Sequence, residues 1–599
     1  MSNIKNTFIN ALLADAAYAD GLSNNLSVVD LFDALKPRMT PTLASFISNN
    51  FEVVSHQEKG DLTESGFDAT VWRGRAGTTY TGQIYVSMQG TLGAQDFLTD
   101  ANLASPFGIA RSQIVDMVNW WNQITTATDQ SAKQIRQVAP IDGSGLPFFA
   151  AAETATGTGL LLNPGAVQVT GHSLGGHLAA AFARLMGDRP AGNGNGGVAI
   201  NNVTTFNSAG FAPGSEAAFT ELQNAIGIGA ASLKSNKQTN VFAQNGVNVT
   251  TNSLYFNQVG KRVALFNEQS TFAGTSVPNH YMYKLTDALA LGAAFEKLDA
   301  TFTLDHLNTL LSAGASEMPK SLESILDALR RVVAGTDAVS TQSGDASDSA
   351  PSRVDYHQKL TDVQEHSAFK SAAQAGTARI RDLTAVSAST IARTATSGAE
   401  ALAYRYALKE LNPFAITGLD YNSLHNSGDK QGALELFKPA DGTGQLTEEY
   451  LKDRAEFLSG LIKANIQDAV SIRGANTNTN KLYVDVSANT VVAVKGQVLG
   501  FDSTEAAAQY RFGGTGNDTL TGNQTGGGDI EHEQGDRVIR NKACKAMQSK
   551  KRRTPIGGHR GTKKARTARG TETLRFDKST AQRRTKYTAA NNNQYVRAA

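Results

Sequence analysis

The sequence predicts an α/β fold with a mainly parallel sheet, and three observations support this prediction. Short runs rich in β-branched residues alternate with longer stretches of helical periodicity over residues 80–290. One predicted strand runs directly into a Gly-x-Ser-x-Gly motif and then an alanine-rich helical segment, at residues 167–185. The 599-residue chain has the length of about three or four domains and can bury a sizeable core.

The motif at residues 171–175 has the pattern of a nucleophile elbow, a sharp turn between a strand and a helix. Such a turn strains its central serine, and small residues two positions away on either side let strand and helix approach closely. Gly171 and Gly175 occupy those positions. We therefore predict Ser173 as the nucleophile and the backbone N–H of Leu174 as one donor to an oxyanion. The alternative is a glycine-rich turn that arose by chance.

The segments before the elbow predict helices and then strands. Residues 1–50 have mostly helical periodicity, and strands are predicted at 51–54, 69–72 and 83–88, the first two forming a hairpin. A polar loop at residues 89–100 follows the third strand and leads towards a long amphipathic helix.

A loop after a neighbouring strand is where an elbow serine enzyme places its second oxyanion donor. Thr91 lies at the start of the loop after the third strand and is the predicted donor. The alternative for this loop is an ordinary capped helix start at Asp96 or Asp100.

The segments after the elbow supply the candidate base and acid, because triad members of this architecture follow the order nucleophile, acid, histidine. His280 follows the last predicted strand of the sheet, at 261–266, and is the predicted general base. His172 and His177 flank the nucleophile and are expected to pack there. Glu268 shares the loop of His280 and is the candidate acid; the alternative is a solvated surface glutamate.

Three segments together resemble the class 3 lipases. They are residues 90–97, the Gly-His-Ser-Leu-Gly-Gly segment at 171–176, and the Asn-His pair at 279–280. The resemblance covers residues 10–335 and is closer to the bacterial lipases and phospholipases A1 that carry a C-terminal RTX region. In the related enzymes the acid falls on the loop that here holds Gln244 and Asn245, so this chain departs from the pattern at the acid.

The resemblance implies an α/β-hydrolase fold and an acyl-enzyme at Ser173. It also implies a lipid ester as substrate at an interface, either a triacylglycerol or a phospholipid cleaved as by a phospholipase A1. No cofactor is expected for this chemistry. The rival hypothesis is a calcium-dependent RTX adhesin or structural protein whose hydrolase domain is inactive.

Composition and periodicity predict five regions in the chain. These are an α/β domain at 1–335, which the resemblance implies to be lipase-like, a linker at 336–352, a helical region with a hairpin at 353–510, a single RTX-type repeat at 511–529, and a basic, disordered tail at 530–599. The amphipathic helix at 321–333 is expected to pack on the sheet, and a lid over the site is the alternative.

The RTX-type repeat is one Gly-Gly-x-Gly-x-Asp-x-apolar-x unit at residues 513–521. In tandem such units wind a β-roll that holds Ca²⁺ between its coils, and about three are needed for stability. Asp518 is therefore a candidate Ca²⁺ ligand in a vestigial β-roll unit. The RTX resemblance also implies export by a type I secretion machinery.

The tail differs from the rest of the chain in charge. Residues 530–599 carry 19 Lys and Arg against 5 Asp and Glu, whereas residues 1–529 carry 37 against 49. Nucleic-acid binding through the tail is one interpretation. We favour the hypothesis that the tail is a frame-shifted replacement for a longer β-roll, without a specific nucleic-acid partner.

The chain shows neither a run of 18 apolar residues nor the pattern of an ordinary signal peptide. We expect no transmembrane segment and secretion by a type I-like route, or a cytoplasmic location if the altered C-terminus has lost the secretion signal. The only cysteine is Cys544, which excludes disulfides within this chain.

Overall fold

A computed structural model describes most of residues 4–470 and a set of short strands between 481 and 546. The described ranges are 4–57, 65–90, 109–139, 147–190, 196–244, 257–267, 277–314, 321–335, 341 and 351–470, together with those strands. All of these residues belong to the compact unit formed by residues 1–550. The predicted basic tail from residue 547 onward lies outside the described residues.

The helices described up to residue 335 are α1 (Ile4–Ala16), α2 (Val28–Leu35), α3 (Pro41–Asn50), α4 (Arg111–Thr125), α5 (Leu174–Met186), α6 (Ser215–Ile226), α7 (Met282–Leu298), α8 (Leu304–Gly314) and α9 (Ser321–Ala334). A 3₁₀ turn at Val277–His280 precedes α7. Further helices follow at α10 (Pro351–Glu365), α11 (Ser367–Ala375), α12 (Ala388–Thr396), α13 (Ala401–Glu410), α14 (Tyr421–His425) and α15 (Glu448–Val470), with a short 3₁₀ turn at Gly428–Lys430. Within the described ranges, no helix is both long and apolar enough to cross a membrane.

The main sheet has seven described strands: β1 (Phe51–Gln57), β2 (Ala69–Gly74), β3 (Ile84–Met88), β8 (Ala166–His172), β9 (Ala199–Phe206), β10 (Gln238–Ala243) and β11 (Lys261–Leu265). They lie in this order across the sheet. Strand β2 pairs antiparallel with both of its neighbours, β1 and β3. Every neighbouring pair from β3 to β11 is parallel. The prediction of an α/β fold with a mainly parallel sheet is confirmed.

Four short strands form two small antiparallel pairs between α4 and β8. They are β4 (Ser131–Ala132) with β7 (Ala155–Thr156), and β5 (Ile135–Val138) with β6 (Phe148–Ala151). Both pairs are separate from the main sheet.

Side-chain alternation along β8 explains why helices cover both faces of the sheet. Val167 and Val169 are fully buried in the core that includes α4 and α5. Thr170, on the opposite face, donates its hydroxyl to the carbonyl of Asn10 in α1 at 3.1 Å. The strand that ends at the elbow is therefore buried on both sides, as parallel sheets require.

Helix α9 packs into the core instead of standing apart from it. Ile325, Leu326 and Leu329 are at most 1% exposed and belong to the same apolar cluster as α7 and α15. This burial favours the prediction of a packed helix over that of a lid.

The helical region after residue 350 is joined to α7 through a buried ion pair. Arg353 in α10 binds both carboxylate oxygens of Asp287 in α7, at 2.6 and 2.7 Å, and His357 binds the same carboxylate at 2.8 Å. The charge of Arg353 and the hydrogen bonds from Arg353 and His357 keep the pKa of Asp287 well below its usual range despite burial.

The predicted linker at 336–352 differs from the structure at two described positions. Helix α10 already begins at Pro351, a residue favoured in the first turn because it has no N–H to satisfy. Thr341 is buried, and its N–H and hydroxyl bind the carboxylate of Asp327 at 2.9 and 2.7 Å. A local side-chain interaction with α9 therefore holds this point of the linker, where an exposed segment was expected.

The remaining described strands form three two-stranded sheets and one five-stranded sheet. In the helical region β12 (Arg379–Asp382) pairs antiparallel with β13 (Phe414–Thr417). Near the C-terminus the described strands are β14 (Lys481–Asp485), β15 (Thr490–Val494), β16 (Gln497–Val498), β17 (Phe501–Asp502), β18 (Ala508–Phe512), β19 (Thr519–Thr521), β20 (Gly528–Glu531), β21 (Arg537–Ile539) and β22 (Cys544–Ala546). The predicted hairpin of β14 and β15 is present, and β14, β18, β20 and β22 pair in parallel. Asp518 lies outside the described residues.

Candidate active site

The Gly-x-Ser-x-Gly segment forms a sharp turn between β8 and α5. Ser173 sits at the turn with a φ of 56° and a ψ of −121°, and it is only 3% exposed. Its N–H donates to the carbonyl of Phe206 at 2.9 Å, and its carbonyl accepts from Ala209 at 3.1 Å. These bonds hold the serine in a backbone conformation that a non-glycine residue rarely adopts.

The two glycines of the motif are required by close backbone contacts. A Cβ atom on Gly171 would lie 2.2 Å from the carbonyl oxygen of Gly175, and one on Gly175 would lie 2.0 Å from that of Met88. The start of α5 thus packs directly against the ends of β8 and β3. The steric reason that the sequence suggests for both glycines is the one that the structure shows.

The structure brings Ser173 and His280 together. His280 ends the 3₁₀ turn before α7, and its Nε2 lies 2.9 Å from the Oγ of Ser173. Burial lowers the pKa of His280 to about 4, so its ring is neutral at pH 7. A neutral Nε2 at this distance can accept the serine proton, as nucleophile activation requires.

Leu174 is the first residue of α5, so its backbone N–H belongs to the first turn, where no intrahelical acceptor exists. The positive end of the helix dipole lies at the same point. Leu174 is therefore placed where an N–H can hold an oxyanion formed beside Ser173.

Two side chains hold the backbone carbonyl of His280. The Nε2 of His172 lies 2.7 Å from that oxygen, and the Nδ2 of Asn207 donates to it at 3.0 Å. Asn207 follows β9, has a φ of 41°, and accepts the N–H of Ala243 at the end of β10. The turn that presents His280 is thereby fastened to the ends of three neighbouring strands.

On its other side, His172 contacts the N-terminal part of the chain. Its Nδ1 lies 2.9 Å from the hydroxyl oxygen of Tyr18, and that oxygen accepts the N–H of Gly90 at 2.8 Å. A Cβ on Gly90 would lie 2.6 Å from the carbonyl oxygen of His172 and 3.0 Å from the Cβ of Ser173. The residue that precedes Thr91 therefore lies directly against the nucleophile.

His177 has a different environment, inside the first turn of α5. Its Nε2 accepts the N–H of Ala110 at 3.2 Å, and its Nδ1 donates to the carbonyl of Gly210 at 3.0 Å. Burial lowers its pKa to about 4. It joins the chain before α4 to the chain after β9, in agreement with the expectation that it packs.

Several residues predicted for the site lie outside the described part of the chain: Thr91, Glu268 and Asp518. Among the described residues, no carboxylate is hydrogen-bonded to the ring of His280. Nor do three His, Cys, Asp or Glu side chains gather anywhere in the described ranges in a way that could hold a metal ion.

Sequence reasoning missed Tyr18 and Asn207 and treated His172 only as a packing residue. The position of His172 beside Ser173 was the one available signal. Tyr18 is 154 residues from its partner His172, in a segment with only helical periodicity, so no local pattern marked it.

The sheet, the strained serine between β8 and α5, and the histidine after the last strand of the sheet define an α/β-hydrolase fold. No protein-family model matches the sequence, and no curated protein matches it.

Solved structures similar to the chain include two lipases. The Lip2 lipase from Yarrowia lipolytica has 14% sequence identity, with 44% of this chain and 79% of that chain covered and a TM-score of 0.23. The Rhizomucor miehei lipase in its propeptide complex has 13% identity, with 47% and 80% covered and a TM-score of 0.23. At these values the likenesses carry no inference about the site, and the fold assignment rests on the sheet and the elbow.

Proposed function

We propose that this protein is a serine carboxylic-ester hydrolase that acts on lipid esters through an acyl-enzyme at Ser173. The observation that carries the proposal is the 2.9 Å contact between the Oγ of Ser173 and the Nε2 of His280 at a strained elbow. A buried serine and a neutral histidine in this geometry form the pair that acyl transfer requires.

The reaction proceeds in two halves. His280 takes the proton of Ser173 as the Oγ attacks the ester carbonyl, and the N–H groups of Leu174 and Thr91 hold the oxyanion. The protonated ring then gives its proton to the leaving alcohol. Water, deprotonated by the same ring, releases the acid from Ser173.

Glu268 remains our proposal for the acid that orients His280. It is the only carboxylate in the sequence between β10 and His280, and it follows the end of β11 by three residues. Glu268→Gln should lower kcat by about 10²-fold or more, because the ring loses the group that favours its charged form in the transition state. Unchanged kcat would assign the orienting role to another residue.

One observation supports a lipid ester as the substrate. The segments at 90–97 and 171–176 resemble those of lipases. Hydrolysis rates on an emulsified triacylglycerol and on a phosphatidylcholine labelled at sn-1 would separate the lipase from the phospholipase A1 activity.

The test of the proposed function is covalent labelling with a fluorophosphonate probe, together with hydrolysis of p-nitrophenyl butyrate. The wild-type chain should be labelled at Ser173, and Ser173→Ala should abolish both labelling and hydrolysis. Ser131→Ala is the matched control, because Ser131 is exposed in β4. Labelling retained in Ser173→Ala, or absent in the wild type, would overturn the proposal.

The rival function is a calcium-dependent adhesin with an inactive hydrolase domain. It is favoured by one observation, that none of the described carboxylates bonds to His280. It predicts no labelling at Ser173 and surface binding that requires Ca²⁺ and is lost in Asp518→Ala.

A further inference from the structure

We propose that Tyr18 and His172 are positioning residues that fix the turn of His280 and the backbone at Gly90, just after β3, through one continuous chain of hydrogen bonds. The inference rests on the proposed function, because positioning matters for catalysis only if Ser173 and His280 react. The chain runs from the Gly90 N–H through the Tyr18 hydroxyl and the His172 ring to the His280 carbonyl, with lengths of 2.8, 2.9 and 2.7 Å.

The chemistry of the two ends determines the direction of every bond. The carbonyl of His280 can only accept, so the Nε2 of His172 must carry a hydrogen. The N–H of Gly90 can only donate, so the oxygen of Tyr18 accepts from it and directs its own hydrogen to the Nδ1 of His172. Each donor thus meets one acceptor, provided that His172 is the neutral Nε2–H tautomer.

The surroundings of both rings favour these protonation states. Burial, the neighbouring His280 ring and Arg38 together keep the pKa of His172 well below its ordinary value of 6.5. Burial raises the pKa of Tyr18, so its hydroxyl remains a donor. A charged His172 would carry a hydrogen on both ring nitrogens, so its Nδ1 could no longer accept the hydrogen of the Tyr18 hydroxyl.

The Tyr18 ring is itself held in place by charged neighbours. The guanidinium of Arg38 lies over the ring, 4.9 Å from its centre, and donates to the carboxylate of Asp15 at 2.8 and 3.1 Å. Asp15 belongs to α1, which packs on the sheet beside β8. Contacts with α1 therefore hold rigidly the hydroxyl that links Gly90 to the turn of His280.

Loss of this hydrogen-bond chain would disturb two parts of the proposed site, the base and the residue before the proposed oxyanion donor. The same chain restrains the carbonyl of His280, and hence its ring at 2.9 Å from Ser173, and the residue before the proposed oxyanion donor Thr91. A displacement of about 1 Å at such groups costs about 10² in rate. Loss of the Tyr18 hydroxyl should therefore lower kcat while leaving KM unchanged.

The kinetic test compares Tyr18→Phe with Tyr85→Phe in the full chain, on p-nitrophenyl butyrate. Tyr18→Phe keeps the ring under Arg38 and removes only the hydroxyl, and should lower kcat about 10- to 100-fold at constant KM. Tyr85→Phe also removes a buried hydroxyl, one that donates to Gln83 at 2.9 Å, and should keep wild-type kcat. Equal kcat for Tyr18→Phe and the wild type would overturn the positioning role.

Two substitutions of His172 test the residue at the centre of the hydrogen-bond chain. His172→Gln offers an amide donor to the His280 carbonyl and should retain more kcat than His172→Phe, which offers none. Equal losses in the two variants would contradict a role through that carbonyl.

A readout independent of activity separates this inference from the proposed function. The chain has 10 histidines, and ¹⁵N labelling of histidine allows His172 to be assigned by its loss in His172→Gln. The ring nitrogens should show the neutral Nε2–H tautomer at pH 7, and Tyr18→Phe should shift the Nδ1 resonance. A charged ring or an Nδ1–H tautomer would overturn the hydrogen-bond chain even if Ser173 is labelled. The expected tautomer without wild-type labelling would instead overturn the proposed function alone.

Discussion

Gly175→Ala tests the steric argument for the elbow. The added Cβ would lie 2.0 Å from the carbonyl oxygen of Met88 and 2.7 Å from the carbonyl carbon of Gln89. Both obstructing atoms belong to backbone at the end of β3, which cannot rotate away as a flexible side chain can. The start of α5 must therefore withdraw from β3 by roughly 1 Å or more to reach an ordinary contact.

This displacement has two measurable costs. Overpacking a well-packed interior costs about 1–3 kcal/mol, and the backbone origin of this clash places Gly175→Ala near the upper end, at about 3 kcal/mol. Ser173 directly precedes α5, so the same shift should slow fluorophosphonate labelling by about 10².

Urea unfolding followed by tryptophan fluorescence measures the first cost. Trp120 and Trp121 are buried in the core shared with α5, and the Trp121 ring lies 4.8 Å from that of Phe182 in α5. Their emission therefore reports on the packing that the substitution disturbs.

Gly229→Ala is the matched control. A Cβ on Gly229 would meet nothing within 4 Å, and its φ is not in the left-handed region. We expect its unfolding free energy to stay within about 0.5 kcal/mol of the wild type or to rise slightly through the unfolded state. A Gly175→Ala protein within 1 kcal/mol of the Gly229→Ala protein would refute the steric argument.

Two further predictions concern buried charges. Burial lowers the pKa of His177 from 6.5 to about 4. As the pH falls from 6.5 towards 4, the unfolded chain therefore binds a proton at His177 that the folded protein does not, and the folded state loses stability over that range. His177→Gln should therefore reduce the difference in unfolding free energy between pH 7 and pH 4 by about 3 kcal/mol, measured by urea unfolding at both pH values. An unchanged difference would contradict this contribution of His177 to the pH dependence of stability. Asp287→Asn removes the negative charge that faces the buried guanidinium of Arg353 and should cost about 3–5 kcal/mol at pH 7 in the same assay, whereas a loss below 1 kcal/mol would show that the ion pair is dispensable.

The elbow is predictable from the sequence because its causes are local. A β-branched strand, a serine between two glycines and an alanine-rich helix lie within residues 167–185. The contacts that require Gly171 and Gly175 arise between chain segments joined by that same turn, or at the neighbouring strand end. A pattern of adjacent residues therefore carries enough information to identify both the turn and the serine at it.

The position of His280 was predictable for a different reason. In a parallel sheet the carboxyl ends of the strands meet at one edge, so a histidine after the last strand comes near a serine after a central one. Chain order alone thus placed His280 beside Ser173, 107 residues away, and the structure gives their distance as 2.9 Å.

The sequence by itself determined the α/β fold, the elbow and the serine–histidine pair, because each follows from local patterns or from strand order. Only the tertiary structure decided what holds the pair. The roles of Tyr18, His172 and Asn207 depend on which carbonyl, N–H or ring nitrogen each side chain meets. Those partners come from the turn after α1, the residues after β3 and the turn before α7. Hydrogen-bond partners so distant in sequence leave no periodic pattern, since a single polar side chain in a helical segment has the same sequence appearance whether it faces solvent or a buried ring.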